Sequence, residues 1–202
     1  FLRTRKTIHV MEELCHGCGA CSIACTKGAI TEKEDELGTV NTYSISKFSK
    51  IIESRMKVGV YTPVNVIKAA IKEAGQCPVV ILDSPPGTSC PFIQTVSQAD
   101  FVILVTEPTP FGLSDLKQSV DTLKTLSKKY GIIINKAGLG NRDVYNYLET
   151  EKIALLMEIP FDKEVASIYS KGEIYSIFNR DWQKKFKEMV DKIINNNGDS
   201  RN

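Results

Sequence analysis

Four cysteines, Cys15, Cys18, Cys21 and Cys25, fall within eleven residues at the spacing C-x2-C-x2-C-x3-C. Gaps of two residues let consecutive thiolates turn towards one point, and Gly17 and Gly19 free the backbone φ for that turn. Structural zinc usually draws on two Cys/His pairs set apart by a longer loop. No second pair follows here, so the run points to an iron–sulfur cluster. In runs of this spacing the fourth cysteine ligates the other cluster of a two-cluster pair, so Cys25 reads as a ligand beside the Cys15, Cys18 and Cys21 set. A lone cluster held by all four thiols is the alternative. His16 reads as a solvent-facing loop residue beside the cluster.

The rest of the composition narrows the function classes. With 42% hydrophobic and 25% charged residues over 202 positions, the chain can bury a core. Its formal net charge of +2 is too balanced for a nucleic-acid or anionic-membrane binder. No apolar run approaches the length of a membrane span, and the first residues lack the apolar region of a secretion signal. Since four of the six cysteines lie in one metal-type run, a reducing, cytoplasmic setting fits better than disulfides. The chain begins Phe1-Leu2-Arg3 without an initiator Met, which leads us to expect a piece of a longer protein.

Along the chain we expect three segments: an iron–sulfur module over 1–35, a connecting hairpin and helix over 36–76, and an α/β domain over 77–202. Residues Thr7 to Val10 read as a strand leading into the cysteine loop, and Gly28-Ala29-Ile30 as its return strand. Thr39–Ser46 and Lys50–Gly59 read as a hairpin. Val64, Ile67, Ala70 and Ile71 lie at helical spacing between Pro63 and Gly75. From Pro78 the pattern changes. Apolar runs at 79–82, 101–105, 132–134 and 154–159 lack alternation, the mark of strands buried on both faces of a parallel sheet. Helical stripes lie between them, such as Leu113, Leu116, Val120, Leu123 and Leu126. Strands alternating with helices imply an open α/β sheet. Trp182, Phe186, Met189, Val190, Ile193 and Ile194 form one face of a last helix, with a frayed polar tail from Asn195.

Ligands of open parallel sheets bind outside the carboxyl ends of the strands, where this chain places its polar groups. Asp83, after the first run, suits a Walker-B-type Asp holding Mg2+ through water. In Asp83-Ser84-Pro85-Pro86-Gly87-Thr88 the prolines stiffen the turn, and Gly87 lets a backbone N–H approach a phosphate. The competing reading is an Asp that caps the helix starting near Pro91. Asn135 offers the donor and acceptor that complement an adenine edge, though Asn is also a common turn residue. Lys136 could lay its methylene stem along a base or stay solvated. Pro160, Phe161 and Asp162 could wall a base pocket, and Asp162 serves equally as the N-cap of a helix. Cys77 and Cys90 are expected as small core hydrophobes, with a redox or cluster-contact role as the alternative for Cys90 beside the switch-like loop.

Taken in order, the cysteine run, Asp83-Ser84-Pro85-Pro86-Gly87-Thr88-Ser89-Cys90-Pro91, Val105-Thr106-Glu107-Pro108-Thr109-Pro110-Phe111-Gly112, Ile134-Asn135-Lys136-Ala137-Gly138 and Glu158-Ile159-Pro160-Phe161-Asp162 resemble the MinD/ParA-like P-loop ATPases that carry an inserted ferredoxin domain. The resemblance implies an open parallel P-loop NTPase-like sheet with a small ferredoxin-like module that binds 4Fe-4S clusters. It implies ATP and Mg2+ as cofactors of the intact protein. Asp83 would be the catalytic switch Asp, Pro86, Gly87 and Thr88 the switch loop, Asn135 the adenine reader with Lys136 beside it, and Pro160 and Asp162 the border of the nucleotide. It also implies an N-terminal strand, a P-loop and an earlier cysteine run. None of the 13 glycines is followed by Lys, so the G-x4-G-K-[ST] pattern is absent from these 202 residues and the sheet is expected to be partial. Three functions stay open: an ATP-driven switch coupled to redox or cluster handling, a ferredoxin-type electron carrier, and an iron–sulfur fragment without a working nucleotide site. A redox partner protein and a homodimer are the implied partners.

Overall fold

An apolar run becomes a buried strand only when strands on both sides take up its N–H and C=O groups, and the run at 132–134 has both neighbours. In the computed structural model, which describes residues 2–4, 7–15 and 17–198, the chain divides into two compact units, Phe1–Pro85 and Pro86–Asn202. His16 lies outside the described residues.

The first unit opens with two short strands, β1 (Leu2–Thr4) and β2 (Thr7–His9), paired antiparallel with Leu2 opposite His9. A single 3-10 turn (Glu12–Leu14) and a short helix, α1 (Ala20–Ala24), carry the cysteines. The expected return strand at 28–30 is absent: β2 pairs with β1 instead, and Gly28 turns the chain at φ 62°. Next comes the expected hairpin, β3 (Gly38–Ser46) and β4 (Ser49–Met56), with Tyr43 opposite Ile51 and an irregularity at Ile45. Helix α2 (Val64–Ala74) starts after Pro63 and stops at Gly75, whose φ of 63° suits glycine. It buries Val66 and lies on one face of the hairpin, where Thr42 Oγ1 donates to Glu73 Oε1 and Lys50 Nζ to the Glu73 carbonyl.

The run at 79–82 departs from expectation. It pairs with no strand among the described residues, and Val79, Val80 and Ile81 are exposed. Apolar sequence alone does not make a strand; without a neighbour its backbone groups stay solvated.

In the second unit, α3 (Cys90–Val96), β5 (Phe101–Thr106), α4 (Pro110–Thr125), β6 (Lys129–Ala137), α5 (Asp143–Glu151) and β7 (Leu155–Pro160) build a parallel sheet in the order β5-β6-β7. Ile132 and Ile134 pack with Leu116 and Val120 of α4 and Val144 and Leu148 of α5, while Val102 packs with Phe92 and Val96 of α3 and Leu123 of α4. The sheet is mixed with helices as the α/β expectation required. Ile133 of the central strand is buried on the opposite face, whereas Val105 of edge strand β5 is exposed there. The chain ends with α6 (Lys163–Ser170), α7 (Tyr175–Phe178) and α8 (Arg180–Gly198). The last helix runs through the asparagines expected as a frayed tail.

The packing makes Leu123→Ala costly, because Leu123 is fully enclosed among the buried Phe92, Val96 and Val102. Chemical denaturation should show a loss of about 2–5 kcal/mol. Val105→Ala, on the exposed face, should change stability by less than about 0.5 kcal/mol.

Candidate iron–sulfur loop and sheet-end site

Gly17 and Gly19 adopt φ of 61° and 72°, the left-handed turns expected of the cysteine loop. The Gly17 N–H points at Cys15 Sγ (3.4 Å), and the Ala29 N–H donates to Cys25 Sγ (3.3 Å). Ser22 Oγ donates to Glu32 Oε1 at 2.6 Å and ties α1 to the segment that follows it. Cys15, Cys18 and Cys21 are exposed, while Cys25 is half-buried at the end of α1. No group of three or more His, Cys, Asp or Glu side chains is drawn together around one point among the described residues. The donor set nevertheless fits an iron–sulfur cluster: four thiols on one short loop, with backbone N–H groups already directed at two sulfurs.

Cys25 is electrostatically distinct. The Ala29 N–H, helped by the backbone amides of Lys27, Ile30 and Gly28, holds its thiol below the ordinary range. Cys77 and Cys90, expected inside, are both exposed, and the Cys77 thiol donates weakly to the Ala74 carbonyl.

The second candidate site is the carboxyl edge of the β5-β6-β7 sheet. Asn135 lies opposite Ile159 and Ala137 opposite Pro160, with a bulge between them. Lys136 occupies that bulge at φ 51°, a left-handed conformation that is strained for a residue with a Cβ. Bulges re-aim side chains, and this one brings Lys136 Nζ to 2.7 Å from Glu107 Oε1 at the end of β5. The loops are locked together further on. Asn141 donates its N–H to the Pro108 carbonyl, and Gly140 (φ 83°) lies so close to that carbonyl that a Cβ would collide with it. The Phe161 N–H donates to the Ala137 carbonyl at 3.2 Å. Asp162 caps α6 by accepting the Glu164 N–H at 2.8 Å, the structural role that its sequence also allowed.

Thus Asn135, Lys136, Pro160 and Asp162 share two adjacent strand ends. Asn135 is half-buried, and its amide has no partner among the described residues. The switch-like residues are arranged differently from expectation. Asp83 is exposed on an unpaired stretch of the first unit rather than at the end of a buried strand, and it caps no helix: α3 has Ser89 at its N-cap. Pro86, Gly87 and Thr88 form bends at the start of the second unit, with Gly87 at φ 90° and open space where a Cβ would lie.

Sequence reasoning assigned no role to Glu107, Tyr145 or Arg142. Tyr145 donates to Glu158 Oε1 at 2.7 Å, the Arg142 guanidinium lies 5.1 Å from its ring centre, and the bond to Glu158 raises the phenol's pKa. Glu107 and Glu158 stood in the strand-end motifs, but a bulge that turns Lys136 sideways has no sequence signal.

In the metal-free, reduced chain, alkylation of Cys25 should show a pH midpoint below the usual thiol value of about 8.5. Denaturant should restore the ordinary midpoint. The lowered pKa means that the folded chain favours the thiolate, an advantage lost as pH falls through the folded pKa. Mass-resolved alkylation at each cysteine reads this directly.

Comparison with known proteins agrees with the N-terminal reading. Residues 8–31 match the 4Fe-4S binding domain family. The solved structures similar to this chain include MinD of Aquifex aeolicus (TM-score 0.45, 22% identity, covering 55% of this chain and 51% of that one). They also include the MinC:MinD complex of the same organism (TM-score 0.46, 20% identity, 62% and 53%). Among curated proteins, the uncharacterized protein MJ0578 of Methanocaldococcus jannaschii is 30% identical over 113 residues, 56% of this chain and 38% of that protein. The uncharacterized protein MJ0579 of the same organism is 30% identical over 198 residues, 96% of this chain and 67% of that protein. The chain spans about half of the MinD chains and two thirds of MJ0579, and with a 4Fe-4S binding domain at its N-terminus it belongs to the MJ0579 family.

Proposed function

We propose that this chain is an iron–sulfur protein in which Cys15, Cys18, Cys21 and Cys25 are the cluster ligands and the sheet edge takes an adenine nucleotide. The observation that carries the first half is the cysteine run itself, matched over 8–31 and supplied with N–H groups at Cys15 and Cys25. A 4Fe-4S cluster supplies one-electron transfer, with a potential tuned by hydrogen bonds to sulfur and by exposure. The chain's own part is to present thiolates. The amides around Cys25 favour its anionic form, and the glycines let the loop turn without side-chain clash.

At the sheet edge, the unpartnered amide of Asn135 suits the paired donor and acceptor of adenine. Glu107 neutralises Lys136, so Lys136 lends its stem to a base face better than its charge to a phosphate. Pro160 and the capped Asp162 border the same place. In the whole protein, Asp83 and the Pro86-Gly87-Thr88 turn would serve the Mg2+ and γ-phosphate end. ATP hydrolysis there would change how the iron–sulfur module meets a redox partner, in a cytoplasmic setting. Among the described residues no helix is long and apolar enough to cross a membrane. An iron–sulfur fragment without a working nucleotide site is the second reading, favoured for this chain by the absence of any Gly-Lys pair in these 202 residues. Beside it stands a plain electron carrier whose α/β half is only a docking platform.

Anaerobic reconstitution with iron and sulfide tests the cluster. It should give the broad visible absorbance of a cubane and about four irons per chain for a single cluster. Cys18→Ser should abolish most of that absorbance, and Cys77→Ser should leave it unchanged. Equal spectra for both variants would remove the ligand assignment.

Equilibrium titration with fluorescent ADP tests the nucleotide half separately. Asn135→Ala should weaken binding about 10-fold, the worth of one or two hydrogen bonds. If the unaltered, cluster-loaded chain binds no ADP, the reading without a working nucleotide site stands for these residues.

A further inference from the structure

The hairpin of the first unit has one face committed and one bare. Thr42 and Lys50 turn towards α2, where both reach Glu73. Asn41, Tyr43, Ile51, Glu53 and Arg55 turn the other way: Tyr43 lies opposite Ile51 and Asn41 opposite Glu53, and Tyr43 and Arg55 both bond the Glu53 carboxylate. On that side Tyr43 is 51% exposed and Ile51 54%, while Phe48 at the tip is 91% exposed. A two-stranded sheet with an uncovered aromatic and aliphatic face is marginally stable alone and marks an interaction surface.

Charge is segregated along the same element. Between Tyr43 and Ile52 the only charged residues are Lys47 and Lys50, both towards the tip. The Glu73 carbonyl holds Lys50 on the covered face, so Lys47 is the cation left to the bare side. At the base, where the Lys57 N–H closes the hairpin on the Leu37 carbonyl, the preceding run is Glu32-Lys33-Glu34-Asp35-Glu36. Four acids against Lys33 and Lys57 leave that end negative, since Arg55 is already paired with Glu53 at 2.8 Å. The nine residues of β3 separate the two ends by about 30 Å at 3.3 Å per residue.

We propose that this face binds a second copy of the same chain, with the two hairpins laid face to face and antiparallel about a two-fold axis. Only an antiparallel arrangement sets each basic tip against the other copy's acidic base, with the Tyr43–Ile51 pairs near the axis. A self-complementary dipolar surface is what a closed two-fold dimer requires. An anionic membrane or a nucleic acid would be repelled by the acid run on the same element. The contact is small: one hairpin face offers about 300 Å² in projection, about 600 Å² over both copies, below the range of stable specific interfaces. The dimer is therefore weak, concentration-dependent and loosened by salt. The surface lies wholly in the first unit and is independent of the nucleotide reading.

Sedimentation equilibrium on the cluster-loaded full chain, with free thiols kept reduced, tests this. At low ionic strength the chain should show a monomer–dimer equilibrium, weakened several-fold in about 0.5 M salt as charge is screened. Ile51→Lys should weaken it at least 10-fold without changing the unfolding midpoint, because the side chain is more than half exposed. Phe48→Ser gives the same reading should Ile51→Lys not fold. Lys47→Glu should also weaken the dimer, and adding Asp35→Lys to that variant should restore it. A single-chain mass at the highest concentration overturns the proposal. So does a dimer indifferent to both Ile51→Lys and Lys47→Glu, which would use another surface.

Discussion

The parallel ladder on both sides of β6 is the constraint on which the second unit depends. With β5 and β7 taking its backbone groups, Ile132, Ile133 and Ile134 can be buried on both faces of the sheet. Helices α3, α4 and α5 then cover one face, and the strand ends come out side by side at one edge. The candidate sheet-end site follows from this. Asn135, Lys136, Pro160 and Asp162 neighbour one another because β6 and β7 do, and Glu107 joins them because β5 ends beside β6. Rigidity at the edge comes from short-range bonds: Gly140 pressed on Pro108, Asn141 bonded to the same carbonyl, and Lys136 held out by its bulge.

The first unit is built on a different principle. Helix α1 buries no residue, and the cysteines lie on its loop with little apolar material around them. A module of this size lacks the core to hold itself, and metal binding commonly supplies the missing stability. Beyond it, the hairpin and α2 form a self-contained layer, stabilised by Val66 and the two bonds to Glu73. Cluster chemistry and hairpin packing are therefore separable within one unit.

Much of this was legible in sequence because it rests on local chemistry. The spacing of four cysteines, three apolar runs, the stripe of α4 and the cap at Asp162 each need only a few neighbouring residues. What misled was pairing. The run at 79–82 has the composition of a buried strand and the piece at 28–30 that of a return strand, yet neither is paired among the described residues. Asp83 consequently stands exposed instead of at a strand end. Cys77 and Cys90 are outside for a similar reason: burial depends on what covers a residue, and their type says nothing of that.

By itself the sequence determined the spacing of the four cysteines, the α/β alternation and the polar residues that end each apolar run. Those are properties of residue type and spacing, and they hold whatever surrounds them. Tertiary structure alone decided which runs became strands, that Lys136 would turn left-handed and meet Glu107, and that one hairpin face would be covered while the other stayed bare. Each of these depends on a partner distant in the chain, such as β7 for β6, Glu107 for Lys136 and Glu73 for Thr42. A strand, an ion pair or a buried face exists only when both of its halves arrive in register, and no local pattern encodes the arrival of the second half.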